Sequence, residues 1–209
     1  GYTSEETPPP LIWTGYYYRG AVVVAQAADV LGYTDEVKRY AALAERIKQT
    51  FNAEFFDEKS EIYVEGAQTA NAFPLVLGLV PEEHESGVLK NLVHEIMVAH
   101  DGHIHTGHVG TASVLETLIK YEESEALFSL ASASTYPGWG YMVAQGATTV
   151  WESWGHDWAK DRVGSHKAHR ADSMMMWGSI DKLFYDYFAG IGEPAYHGPE
   201  KRTPGYREI

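Results

Sequence analysis

The stretch Thr34-Asp-Glu-Val-Lys-Arg-Tyr-Ala-Ala-Leu-Ala-Glu-Arg-Ile-Lys-Gln-Thr-Phe51 decides the fold class. Val37, Tyr40, Ala44, Ile47 and Phe51 recur at steps of three and four, which puts them on one stripe of an α-helix. Thr34 reads as the N-cap, with Asp35 and Glu36 in the first turn, where the helix dipole favours acids. Upstream, Tyr16 to Leu31 is nearly all apolar, broken by Arg19, Gln26 and Asp29, and Gly32 follows as a C′ residue. A helix this apolar is expected to be buried on most sides. Downstream, Asn52 to Gly66 is polar and turn-rich, a long connection, and Gln68 to Leu77 is helical again. Pro81, backed by Glu82 and Glu83, opens a helix whose inner face is Val88, Leu89, Leu92, Val93 and Ile96. Val114, Leu115, Leu118 and Ile119 mark another helix, and Ala126 to Ala133 a shorter one. A long aromatic loop, roughly 136–172, precedes the last stripe, Trp177, Ile180, Phe184 and Phe188. No segment sustains period-two alternation, so strands are minor. The pattern predicts an all-α protein of about seven helices in antiparallel hairpins. Its long loops fall at alternate junctions, where they gather at one end of a helical array.

With 209 residues, the chain is long enough for one sizeable domain or part of a larger one. A formal charge of -13 argues against nucleic acid, whose binding relies on Lys and Arg, and against an anionic membrane surface. A neutral ligand such as a sugar is compatible with it. There is no cysteine, which excludes disulfides and thiolate metal sites but leaves the compartment open. No apolar run reaches the ~18 residues of a membrane span. The first ten residues lack the basic-then-apolar order of a signal peptide and read as an exposed lead-in.

The residues suited to chemistry concentrate in Tyr136-Pro-Gly-Trp-Gly-Tyr-Met-Val-Ala-Gln-Gly-Ala-Thr-Thr-Val-Trp-Glu-Ser-Trp154. Trp139, Trp151 and Trp154 surround one carboxylate, Glu152. Indole faces stack on the C–H faces of a pyranose, and a carboxylate can take a proton from water. Thr148, Thr149 and Ser153 could donate hydrogen bonds that keep Glu152 ionised. The same residues would also suit an aromatic core strip around a hydrogen-bonded Glu. Glycoside hydrolysis ordinarily needs a second carboxyl group. Glu65, Asp101, Asp157, Asp161 and Asp172 are the candidates, none in a comparable setting and each readable as a solvated loop acid. The loop Gly102-His-Ile-His-Thr-Gly-His108 offers His103 and His105 for sugar hydroxyls; without cysteine or a paired-histidine helix motif it calls for no metal. Trp13, ahead of the first helix, is either a sugar platform or a cap on the core. No cofactor is called for, and Met174, Met175 and Met176 read as core filler.

The aromatic stretch closely resembles the α-L-rhamnosidases of glycoside hydrolase family 78, above all in Gly146-Ala-Thr-Thr-Val-Trp-Glu-Ser-Trp154. Gln68-Thr-Ala-Asn71, Gly102-His-Ile-His-Thr-Gly-His-Val-Gly-Thr111 and Gly178-Ser-Ile-Asp-Lys-Leu-Phe-Tyr-Asp-Tyr-Phe-Ala-Gly-Ile191 are similar to other stretches of that family. The resemblance covers about Thr14 to Ile209. It implies an (α/α)6 toroid, an inverting mechanism, a terminal α-L-rhamnosyl substrate and the role of general base for Glu152. The family's upstream Asp-Glu-Arg-x-Gly-Trp type motif, which carries the general acid, does not occur here. Ser173 and Met174 stand where many relatives place Asn-His to hold the sugar.

These departures, with too few helices for a complete toroid, lead to the expectation of a partial catalytic domain at 14–191. A lead-in at 1–13 precedes it, and a non-helical tail at 192–209 resembles the start of a C-terminal β-domain. The missing remainder of its own catalytic domain would then be a partner, and the isolated chain would lack the acid and be inactive. Two other functions fit the residues: a non-catalytic carbohydrate-binding relative, and a different toroidal hydrolase such as a glucuronyl hydrolase.

Overall fold

A computed structural model describes residues 7–151, 154 and 178–189. The chain divides into two compact units, one of residues 1–101 and 105–117, the other of residues 102–104 and 118–209.

In the first unit, α1 (Pro9–Val30) and α2 (Thr34–Phe55) form a helical hairpin closed by Gly32, whose φ of 77° suits a residue without a side chain. The hairpin holds by Ala21 of α1 against Ala44 and Ile47 of α2, with Tyr18, Val22 and Leu43 around them. The predicted stripe of α2 is the face that turns inward, with Ala44, Ile47 and Phe51 buried. Thr34 is its first helical residue and Tyr33 takes the cap position. α1 departs further from the sequence reading. It starts at Pro9, since proline is tolerated in a first turn, and so contains Trp13. It is also largely open: only Leu11, Gly15, Ala21 and Ala28 are buried. Tyr17, Val24 and Leu31 are among its exposed side chains.

The connection after α2 is a small antiparallel hairpin, Phe56–Asp57 against Ile62–Tyr63. In its turn Asp57 accepts bonds from the Ser60 hydroxyl (2.6 Å) and the Lys59 backbone N–H (3.0 Å). Those bonds hold its carboxyl below the usual carboxylate range. Tyr63 is fully buried, and burial pushes its phenol pKa up. Its hydroxyl donates to Asn52 Oδ1 (2.5 Å) and its N–H to Asn71 Oδ1 (3.0 Å).

The centre of the unit is α3 (Gln68–Leu77), in which every residue from Gln68 to Leu75 is buried. Gly15 of α1 sits so close to the Phe73 ring that a Cβ there would overlap it. Thr117 of α5 (His108–Lys120) donates to the Ala72 carbonyl at 3.0 Å. α3 ends at Gly78 with φ 70°, and α2 satisfies the end: Lys48 Nζ donates to Gly78 O and Asn52 Nδ2 to Leu79 O, each at 2.8 Å. A 3-10 turn, Glu82–His84, leads into α4 (Glu85–His94), which buries Val88 and Leu92 and continues as a π turn, Glu95–Ala99.

The second unit takes the end of α5, then α6 (Ser124–Ser132), α7 (Trp139–Ala144) and α8 (Ser179–Lys182), the last running on as a π helix to Phe188. α6 buries Ala126, Leu127 and Leu130. Ser124 Oγ lies 2.6 Å from the Tyr187 hydroxyl. α7 falls within the stretch expected to be loop. Its entry hugs the end of α6: a Cβ on Gly138 would stand 2.9 Å from the Ala133 carbonyl oxygen. Among the described residues no helix is long and apolar enough to cross a membrane.

Candidate functional site

The sequence grouped His103 and His105 in one loop, and the structure places them in different units. The loop opens on two left-handed residues, Asp101 (φ 49°) and Gly102 (φ 74°). A side chain on Gly102 would collide with Ser129 of α6, whose hydroxyl donates to the Gly102 carbonyl at 3.3 Å. His103 follows in the second unit, its Nε2 2.6 Å from Thr135 Oγ1.

His105 belongs to the first unit and is exposed. Its backbone N–H donates to Oε1 of the buried Gln68 at 2.9 Å, which ties the loop to the first turn of α3. Its ring lies flat on that of His100, with centroids 4.2 Å apart and planes 16° apart. His100 is held in turn by Glu95, whose carboxylate is 3.0 Å from its Nε2 and whose carbonyl accepts its N–H at 3.1 Å. That five-residue step is the hydrogen bond of a π turn, a local form found often at functional sites. The end of the loop is equally constrained. Thr106 Oγ1 and Thr111 Oγ1 are 2.6 Å apart, and a Cβ on Gly110 would overlap the Thr69 side chain. Gly110 is therefore needed for α5 to start against α3.

In the second unit the aromatic stretch is packed on itself. Trp139 and Trp154 meet edge to face at 4.9 Å, and Tyr136 meets Tyr141 the same way at 5.6 Å. Trp139, Trp151 and Trp154 are 8%, 5% and 9% exposed, so all three indoles are largely withdrawn from water. Thr148 and Thr149 are exposed. Trp13, 69% exposed on α1, belongs to the first unit. Glu152 and Ser153 lie outside the described residues, as do Asp157, Asp161, Asp172, Ser173 and the methionines at 174–176. Of the other acids named as second carboxyls, Glu65 and Asp101 are both exposed. Among the described residues no group of three or more His, Asp or Glu is placed to hold a metal ion.

Sequence reasoning missed Glu95 and His100. Their pairing depends on a π turn, and the helical period of three and four does not bring residues five apart together. Gln68 did carry a signal, as a polar residue opening an apolar helix.

The profile of the bacterial alpha-L-rhamnosidase 6 hairpin glycosidase domain matches residues 2–188. An alpha-L-rhamnosidase of Formosa agariphila is 30% identical over 91% of this chain and 20% of its own length. The Streptomyces avermitilis alpha-L-rhamnosidase complexed with L-rhamnose is similar in structure, with a TM-score of 0.79, 29% identity and coverage of 90% of this chain and 18% of that one. The alpha-L-rhamnosidase from Dictyoglumus thermophilum gives a TM-score of 0.73 at 34% identity, over 82% of this chain and 19% of that one. The chain thus spans about a fifth of the length of the relatives it matches. The helical hairpins, the ordered histidine loop and the aromatic stretch are together those of an (α/α)6 fold, and the chain belongs to the bacterial alpha-L-rhamnosidase six-hairpin glycosidase family.

Proposed function

We propose that this chain supplies the general-base half of an inverting α-L-rhamnosidase site, with Glu152 activating the attacking water. The observation that carries the reading is the family match across residues 2–188, which includes the whole Trp-Glu stretch. The buried indoles at 151 and 154 support it, because a water-poor wall strengthens the interaction of a carboxylate with an oxocarbenium-like transition state. In an inverting pair the acid would stand ~6.5–9.5 Å away, leaving room for the water. That acid would come from outside these residues, so the 209-residue chain alone would not turn over substrate. Within the second unit Trp139, Trp151 and Trp154 would shape the sugar pocket, with His103 as a hydroxyl contact; Trp13 and His105, of the first unit, are proposed as sugar contacts in their own right. The fixed backbone and stacked ring of His105 suit a contact that must not move.

The test uses the protein expressed from its complete gene and an aryl α-L-rhamnoside. Glu152→Gln should lower kcat by about 10³-fold or more with KM little changed, and the wild-type protein should release the inverted anomer by NMR. Near-normal turnover in the variant would sink the assignment of Glu152. Binding of L-rhamnose by calorimetry, with no turnover by the wild-type protein, would replace it with a carbohydrate-binding role.

A further inference from the structure

We infer that Glu95 and His100 are positioning residues for His105, and that through it they set how tightly the protein holds its sugar. The inference rests on the proposed reading of His105 as a contact to sugar hydroxyls. Glu95, His100, His105 and Gln68 all belong to the first unit.

His105 is exposed, while its sequence neighbours Ile104 and Thr106 are buried. An exposed side chain ordinarily samples several rotamers, and a ligand that has to order it loses roughly 3–10-fold in affinity to that ordering. Here the order is already present. Gln68 Oε1 holds the backbone N–H at 2.9 Å, and the ring lies on that of His100, with centroids 4.2 Å and planes 16° apart. A face-to-face contact uses the π surfaces of the two rings. Imidazole nitrogens hydrogen-bond in the plane of the ring, so the stack fixes where the nitrogens of His105 point and engages neither of them.

The plane of His105 thus follows the plane of His100, and Glu95 sets the latter. A carboxylate accepts, so His100 Nε2 carries the proton and donates to Glu95 Oε1 at 3.0 Å. The His100 N–H donates to the Glu95 carbonyl at 3.1 Å. In a regular α-helix residues five apart stand about 140° apart around the axis and do not meet in this way. The π turn Glu95–Ala99 brings them together. The Glu95 and His100 side chains keep 28% and 26% of their surface exposed, too open for the pair to be explained as core filling.

The test titrates the protein expressed from its complete gene with L-rhamnose by calorimetry, and measures kcat and KM on an aryl α-L-rhamnoside. His105→Ala and Glu95→Ala should each raise the Kd by about 3–10-fold. Glu95→Ala should raise KM by the same factor with kcat little changed, as expected for a contact made equally in the ground and transition states. Glu95→Gln should rescue binding, because its amide oxygen can still accept from Nε2. In the His105→Ala background, Glu95→Ala should have no further effect on the Kd. That coupling separates a residue acting through His105 from one that only stabilises the fold. Additive losses in the double variant would overturn the inference. A Kd raised by His105→Ala but unchanged by Glu95→Ala would overturn it too, and would leave His105 as a sugar contact. A Kd unchanged by His105→Ala would remove the sugar contact and the inference with it. Calorimetry needs no turnover, so none of these outcomes depends on the role of Glu152.

Discussion

In α3 every side chain from Gln68 to Leu75 is buried, whereas in the longer and comparably apolar α1 only Leu11, Gly15, Ala21 and Ala28 are. Composition does not separate the two helices; their neighbours do. α3 meets α1 through Phe73, α5 through Thr117 and the β-hairpin through Asn71. Among the described residues α1 meets α2 through Ala21 and α3 through Gly15 and Tyr16. The hydrophobic effect rewards removal of apolar area from water, so an apolar sequence demands a partner without naming one. The polar content of α3 makes the same point from the other direction. Gln68, Thr69 and Asn71 are buried because each packs or bonds into an adjacent segment.

The contrast can be broken most sharply with Phe73→Ala in the 209-residue chain. It should cost about 3–4 kcal/mol, since it empties a site enclosed on all sides, while Val24→Ala on α1 should stay within about 0.5 kcal/mol. Urea unfolding of both variants checks this; a comparable loss at Val24 would show that α1 is already covered. A smaller effect is expected at Asn71, which accepts from Tyr63 N–H and donates to the Gly66 carbonyl at 3.0 Å each. Asn71→Ala should cost about 1–3 kcal/mol by stranding those buried groups. Asn71→Asp should restore the accepted bond alone and recover only part of the loss in the same unfolding experiment.

The smallest effect is at the hairpin between α2 and α3. The Asp57 carboxyl has a folded pKa below its unfolded value, so its contribution to stability is present above the ordinary carboxylate range and is lost as pH falls through the folded value. Because the group is exposed, Asp57→Asn should flatten the acid limb of the Tm–pH profile only slightly. A variant with the wild-type profile would show that the turn bonds do not survive in solution.

Much of the helical layout was legible because it depends on residues three and four apart. The stripe from Val37 to Phe51 and the α3 span Gln68–Leu77 emerge as read, and of the inner face Val88, Leu89, Leu92, Val93 and Ile96 the structure buries Val88, Leu92 and Ile96 and leaves Leu89 and Val93 half-buried. The small hairpin at 56–63 was hidden inside a polar connection, and α7 inside an aromatic loop, because both are too short to show a period. Of the site, the aromatic cluster and the ordered histidine loop were visible as unusual composition. The burial of the three tryptophans was not, since it depends on how the stretch folds back on itself.

The amino-acid order alone was therefore enough for the all-α class, the positions of most helices and the family, each carried by local period or by short motifs. Tertiary structure decided what those elements face. It joined His105 to Gln68, 37 residues away, and His103 to Thr135, 32 residues away, so that two neighbours in one loop serve different units. It also left α1 open and closed α3. The physical reason is the same in each case. Hydrogen-bond partners and buried area are properties of pairs of segments, and no single segment specifies the surface it will meet.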